Sequence, residues 1–258
     1  MKEKPQRPHS SQRLQRLDKI LSHMGFGTRS VIKQKVREGA VTVNGVPVKD
    51  SGLQIHPESD QITFAGQRVA YREYIYLLMN KPAGVISATE DHREKTVVDL
   101  LSSEYTTFHP FPVGRLDKDT EGLLLLTNDG VLAHQLLSPR KKVPKVYLAK
   151  VLGEMTSADV EPFQHGVTLD DGYVTLPAQL SIDQVSDDPA LGLITWVKLT
   201  ITEGKFHQVK RMVEAVGKKV VYLKRLSMGT LQLDDQLALG EVRELTSEEL
   251  DQIRNGVK

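Results

Sequence analysis

Gly114-Arg115-Leu116-Asp117-Lys118-Asp119-Thr120-Glu121-Gly122 runs directly into Leu123-Leu124-Leu125-Leu126-Thr127-Asn128-Asp129-Gly130. Three carboxylates and an arginine lie between two glycines, immediately before an apolar run. An ordinary start of a buried element does not need that density of acid. The plainer reading is that Asp119, Thr120 and Glu121 cap and charge the N-terminus of a helix. That reading suffices for Asp119 and Glu121. Asp117 stands two residues after Arg115 and beside Lys118, and neighbouring cations favour an ionised carboxylate. It is a candidate nucleophile or base, although the local pattern alone leaves its role open.

Around this stretch the chain alternates short strand and helix signals. The run 74–80 reads as a buried strand stopped by Lys81-Pro82-Ala83-Gly84. Val85 and Ile86 begin another strand, 97–101 a short helix, and 131–137 a helix ended by Ser138-Pro139. Strands are expected at 145–151, 173–180 and 193–201, and a helix at 207–216. Two short strands follow at 220–225 and 228–233, then a C-terminal helix over 247–255 with Thr246 as its cap. Without regular β-α-β repetition, this body is α+β with a mostly antiparallel sheet.

The N-terminal part has a different grammar. Leu14, Leu17, Ile20 and Leu21 recur at helical spacing, and a stop is expected at Gly25 or Gly27. Thr28 reads as the cap of a second helix with Val31, Ile32 and Val36 inward and basic side chains outward, ending at Gly39. Val41-Thr42-Val43-Asn44-Gly45-Val46-Pro47-Val48 is a hairpin signal, since Asn-Gly favours the tight turn between two strands. Ile62-Thr63-Phe64-Ala65-Gly66 adds a strand and a turn. The division is a disordered tail at 1–12, a small helix-helix-β domain at 13–72, and a larger domain at 73–258.

Charge follows this division. The whole chain of 258 residues carries a formal +1. Residues 13–72 hold ten basic and five acidic side chains, whereas the body is net acidic. A basic head on an acidic body points to a polyanionic partner met by the head; uneven charge on a solvated surface is the plainer alternative. An apolar share of 39% and a charged share of 26% are those of a globular, water-soluble protein. No apolar run is long enough to cross a membrane, and the polar N-terminus is not a secretory signal. The absence of cysteine excludes disulfides, thiolate metal sites and cysteine nucleophiles, and a cytoplasmic protein is expected. No histidine pairs with another at metal-ligand spacing, so no metal is expected. Nothing demands more than a monomer.

The head, through Arg16-Leu17-Asp18-Lys19-Ile20-Leu21, Thr28-Arg29-Ser30 and Glu38 to Gly45, resembles the alpha-L RNA-binding module. The resemblance implies phosphate contacts from Arg16, Lys19, Arg29, Lys33 and Arg37. The stretch 114–122 resembles the signature of pseudouridine synthases of the RsuA/RluB type. Three further segments support it: 76–85, Lys145-Val146-Tyr147, and Glu203-Gly204-Lys205-Phe206-His207-Gln208-Val209-Lys210-Arg211-Met212. Together they cover nearly all of residues 13–250, in the expected order.

By that resemblance Asp117 is the catalytic aspartate, attacking either the sugar or the uracil ring of a uridine in ribosomal RNA. Tyr147 packs against the flipped base, and Lys210 pairs with Asp117. Arg115, Lys205 and Arg211 contact substrate. No cofactor is implied. His207 is read as a structural hydrogen bond orienting the turn before the helix. Lys141, Lys142, Lys145, Lys218, Lys219, Lys224 and Arg225 are further candidates to line an RNA cleft. The His-Gln pair at 207–208 and the segment 240–246 resemble the enzymes acting on small-subunit 16S rRNA. The same reaction on 23S rRNA is the second reading. A non-catalytic RNA-binding ribosome-assembly factor on this scaffold is the third, because fold does not guarantee activity.

Overall fold

A computed structural model describes residues 14–257; the expected tail at 1–12 lies outside the described residues. The chain forms two compact units, one holding the sequence up to Tyr74 together with Ser103–His109 and the other the remainder.

In the first unit a two-residue strand β1 (Gln15–Arg16) leads into α1 (Leu17–His23) and α2 (Arg29–Arg37). Leu17, Ile20, Leu21, Ile32 and Val36 are fully buried between the helices and the strands beyond them. Thr28 caps α2 by accepting from the Val31 amide. Val31 itself, expected inside, is 45% exposed, because Ile32 and Val36 take the inward face. Strands β2 (Val41–Val43), β3 (Val46–Pro47), β4 (Gln54–Ile55), β5 (Ile62–Phe64) and β6 (Gln67–Arg68) follow. They make a four-stranded sheet in the order β3-β2-β5-β6, while β4 pairs with β1. The Asn44-Gly45 turn has φ of 53° and 80°, the left-handed pair that such a hairpin needs. The short helix α3 (Ser103–Thr106) belongs to this unit despite its place in the sequence. Just after it, Phe108 meets His23 edge-on at 5.3 Å, and the Arg72 guanidinium lies over the Phe108 ring.

The second unit is built on one sheet. Its strands are β7 (Tyr76–Lys81), β8 (Phe111–Pro112), β9 (Glu121–Thr127), β10 (Lys145–Leu152), β11 (Gln179–Asp188), β12 (Gly192–Ile201), β13 (Lys219–Met228), β14 (Leu231–Gln232) and β15 (Val242–Glu244). The order is β11-β12-β10-β13-β9-β7-β15, with β14 on β13 and β8 on β9. Among the described residues every pairing of these strands is antiparallel except β13 with β9, which is parallel over two residues. Helices α4 (Gly130–Leu137), α5 (Ser157–His165), α6 (Gln208–Ala215) and α7 (Ser247–Gly256) complete the unit. None of the described helices is long and apolar enough to cross a membrane.

The Leu123–Leu126 run is wholly buried because both faces of this central strand are covered. Leu123 and Leu125 pack with Leu132 and Leu136 of α4 and Ile253 of α7. Asp129 caps α4, accepting from the amides of Val131 and Leu132.

Several expected elements are redrawn. Val85 and Ile86 form no strand beyond a single bridge to Thr96. Residues 173–178 are irregular and the strand starts at Gln179, since the Leu176 amide and the Tyr173 hydroxyl are taken by Glu203. The two short strands expected at 220–225 and 228–233 are one continuous β13 and a two-residue β14, turned by Gly229 at φ 61°. Asp119 and Glu121 cap no helix, because the element they precede is β9.

Candidate active site

The one parallel pairing in the large sheet fixes where the 114–120 loop ends. Arg225 of β13 lies opposite Gly122 of β9. Gly122 has φ +102°, and a Cβ there would stand 2.3 Å from the Arg225 carbonyl oxygen. Only glycine allows the two strands to close. The buried Arg225 then donates from Nε to the Leu123 carbonyl at 2.8 Å, tying the strands a second time.

The loop itself is clamped by the last residue of β7 and residues just after it. Lys81, fully buried, donates from Nζ to the carbonyls of Pro82 (3.0 Å), Asp117 (3.1 Å) and Thr120 (2.9 Å). Burial pushes its pKa down to about 8, against the pull of Asp119, Asp117 and Glu121. Ser87 donates to the Leu116 carbonyl at 2.9 Å and accepts from the Leu116 amide at 3.0 Å. The Gly84 amide donates to the Lys118 carbonyl at 2.7 Å. Main-chain carbonyls on an ammonium fix the loop backbone while leaving the Asp117 side chain free to face outward.

That side chain meets two partners from the opposite wall. Lys210 of α6 places Nζ 3.0 Å from Asp117 Oδ2 and 2.6 Å from Asp119 Oδ1. Burial lowers the Lys210 pKa, but the contacts with Asp119 and Asp117 outweigh it and raise it above the ordinary lysine value. His207 Nε2 stands 3.6 Å from Asp117 Oδ1. His207 has φ 48°, and its ring stacks on Phe206 at 3.7 Å between centroids. Gln208 fixes this turn: its Oε1 accepts from the Lys205 amide and its Nε2 donates to Glu203 Oε1, both at 2.8 Å. Glu203 also accepts from the Tyr173 hydroxyl at 2.7 Å, and the Lys205 ammonium lies 4.4 Å over the Tyr173 ring.

Tyr147 comes from β10, between Leu199 of β12 and Arg225 of β13. The register against β13 shifts between Val146 and Tyr147, a bulge of the kind that re-aims a side chain. Arg115, Leu116, Asp117, Thr120, Tyr147, Lys205 and His207 all line one cavity of about 80 Å³. An oriented carboxylate, a tyrosine and cationic walls converge on one small space, an arrangement suited to covalent chemistry on a flat polar ring. Among the described residues no three or more His, Asp or Glu side chains are grouped to hold a metal.

The family model for RNA pseudouridylate synthases matches residues 75–215, and that for the S4 domain matches residues 15–62. This chain belongs to the RNA pseudouridine synthase family. An uncharacterized RNA pseudouridine synthase of Bacillus subtilis, YtzG, is 54% identical over 91% of this chain and 96% of its own. The ribosomal large subunit pseudouridine synthase B of Bacillus subtilis is 38% identical over 93% of this chain and 96% of its own. The ribosomal small subunit pseudouridine synthase A of Yersinia pestis is 38% identical over 91% of this chain and 96% of its own. A pseudouridylate synthase crystal structure superposes with a TM-score of 0.62 at 34% identity, covering 92% of this chain and 99% of that one. The protein is thus an isomerase with RNA as its partner, built as an S4 domain followed by a mostly antiparallel synthase domain.

The synthase cavity gathers Asp117, Tyr147, Arg115 and Lys205, with Lys210 bonded to Asp117 from outside the lining. Arg211 is not among them. Although it follows Lys210 on α6, it points to Asp170 and Asp171 (2.7 Å from the latter), which hold it away from the cavity. Lys145 and Arg225 are buried and cannot face RNA, and Lys218 donates to the Glu154 carbonyl. The turn-ordering role expected of His207 belongs to Gln208. The loop contacts of Lys81 and Ser87 are not legible in the sequence, because a lysine before proline at a strand end carries no local sign of a contact 36 residues away. In the S4 unit, Lys19, Arg29, Lys33 and Arg37 are exposed. Arg16 grips the buried Asp18 with two bonds, 3.0 and 2.7 Å, and holds that carboxyl below its ordinary range.

Proposed function

We propose that this synthase isomerises one uridine of small-subunit 16S rRNA to pseudouridine, with Asp117 as the nucleophile. The observation that carries this reading is the Asp117 carboxylate at the cavity wall, held by Lys210, with Tyr147 lining the same space. The uridine turns out of its helix so that the carboxylate can reach it. Asp117 attacks the sugar carbon C1′ or the ring carbon C6, and the C1′–N1 bond breaks. The uracil rotates, C5 bonds to C1′ and the Asp117 oxygen is released from C1′ or C6; the C5 proton leaves and N1 ends protonated, so atoms balance without a cofactor. Lys210 keeps the attacking carboxylate aimed, and Tyr147 packs against the ring and assists its proton transfer. Arg115 and Lys205 meet the RNA near the flipped nucleotide, whereas Arg211 positions α6 through Asp170 and Asp171.

The S4 unit, proposed to span 13–72 ahead of a catalytic domain at 73–258, anchors the RNA backbone through Lys19, Arg29, Lys33 and Arg37. Arg16, half-exposed beside Asp18, joins them. The protein works as a monomer in the cytoplasm. The His207-Gln208 pair supports 16S over 23S rRNA, while relatives named for either subunit stand at the same 38% identity. Deleting the gene and mapping pseudouridine across both rRNAs tests the reading. One missing site in 16S rRNA supports it; a missing site in 23S rRNA moves the substrate, and an unchanged map removes the catalytic role.

A further inference from the structure

Phe206 is the most exposed large apolar side chain among the described residues, at 72%, and it stands at the rim of the Asp117 cavity. Its sequence neighbours Lys205 and His207 both line that cavity. An isolated exposed phenylalanine would signify little. This one is held. One neighbour in the stack is the His207 imidazole, 3.7 Å away and 20° from parallel. The backbone beneath is locked by Gln208 and Glu203, and the Phe206 carbonyl accepts from Arg211 at 3.4 Å. The stack and the held backbone order the ring in part before any ligand arrives, so a partner stacking on it loses less freedom.

From this we infer that Phe206 is a stacking platform for an RNA base adjacent to the flipped uridine. The inference rests on the functional reading above and adds a binding contact to it. Unpaired bases are commonly received on aromatic faces, and every base has a π-face to offer, so such a contact gives grip without reading sequence. The stack runs from the RNA base through Phe206 to His207, whose Nε2 lies 3.6 Å from the Asp117 carboxylate. A base seated on Phe206 would thus fix the strand next to the nucleotide being turned toward Asp117. The cations Arg115 and Lys205 on the same rim supply the phosphate contacts that such a strand needs.

Two readouts test this on the full-length protein, using 16S and 23S rRNA transcripts carrying 5-tritiated uridine. Release of tritium from C5 reports turnover, and ultraviolet cross-linking with mass spectrometry reports stacked contacts. Phe206→Ala and Phe206→Leu should lower kcat/KM roughly tenfold or more, mainly through KM, as expected for one lost base stack. Phe206→Trp and Phe206→Tyr should restore it, and a nucleotide adduct should map to Phe206 in the wild type. Because the ring is exposed, thermal melts should leave all four variants as stable as the parent. The inference is overturned if Phe206→Ala stays within about twofold of wild type, or if leucine serves as well as tryptophan, a contact worth less than the stacking range. A wild-type protein that releases no tritium yet carries the Phe206 adduct would remove the catalytic reading and leave the platform standing.

Discussion

One ammonium ties two carboxylates at the heart of the site: Lys210 Nζ lies 3.0 Å from Asp117 Oδ2 and 2.6 Å from Asp119 Oδ1. The two bonds differ in consequence. Asp117 lines the cavity, whereas the Asp119 side chain is 72% exposed and meets solvent. Lys210→Met should therefore lower kcat by about 100-fold or more, the scale of losing an oriented charge at a reacting centre. Asp119→Asn should cost no more than roughly threefold, as suits an exposed ion pair. Single-turnover tritium release on both variants checks the pair; equal losses would place the reacting carboxylate elsewhere.

The Lys81 clamp gives a pH signature. Its folded pKa is about 8, against the ordinary lysine value of 10.5. Between those values the unfolded chain binds more protons than the folded one, so this group adds stability as pH rises through the window. Over the same window the loop exchanges an ammonium for a weaker donor. Activity should thus fall with an apparent pKa near 8 while resistance to denaturant from this group increases. Lys145 shares a pKa of about 8, lowered by burial and by Arg225. Lys145→Met should keep the alkaline limb of kcat and Lys81→Met should lose it. A limb surviving in Lys81→Met would show that the clamp does not govern activity.

Gly122→Ala should destabilise the synthase domain by about 3 kcal/mol or more, combining backbone strain with overpacking against a neighbouring main chain. The contact at fault is the 2.3 Å approach to the Arg225 carbonyl. Gly45→Ala, at φ +80° with nothing within 4 Å, should cost only the strain, about 1 kcal/mol. Urea denaturation followed by circular dichroism separates the two, and equal losses would contradict the close-packing argument.

How much of this was legible in the chain follows from the range over which each signal acts. Thr28 and Asn44-Gly45 act within a few residues, and the cap and the turn appear where expected. Asp117 and Tyr147 line one cavity and Lys210 bonds to Asp117, an arrangement that spacing alone does not show. The failures are long-range. Asp119 and Glu121 look like helix caps until β13 is seen to draw the next residues into a sheet, where Glu121 accepts from the Tyr222 hydroxyl at 2.8 Å. Residues 173–178 have strand-like composition, but Glu203 captures their polar groups first. Arg211 is adjacent to Lys210 in sequence and, one residue round the helix, faces a different partner.

The exposed basic face of α2 should set the salt dependence of RNA binding. Arg29, Lys33 and Arg37 recur every four residues, with Ile32 and Val36 buried on the other side. Replacing all three with glutamine should weaken binding to rRNA and flatten its log–log salt slope by roughly two units, at about 0.7 per lost contact with single-stranded RNA. Filter binding across a salt series measures both, and an unchanged slope would exclude α2 as the anchor.

The central claim is that Asp117 is the nucleophile that isomerises a uridine in rRNA. Its most direct test is tritium release by purified Asp117→Asn protein from 16S rRNA labelled at uridine C5, beside the wild type. The wild type should release one equivalent per transcript and Asp117→Asn none, although both bind the RNA alike. Release by Asp117→Asn at the wild-type rate would contradict the account.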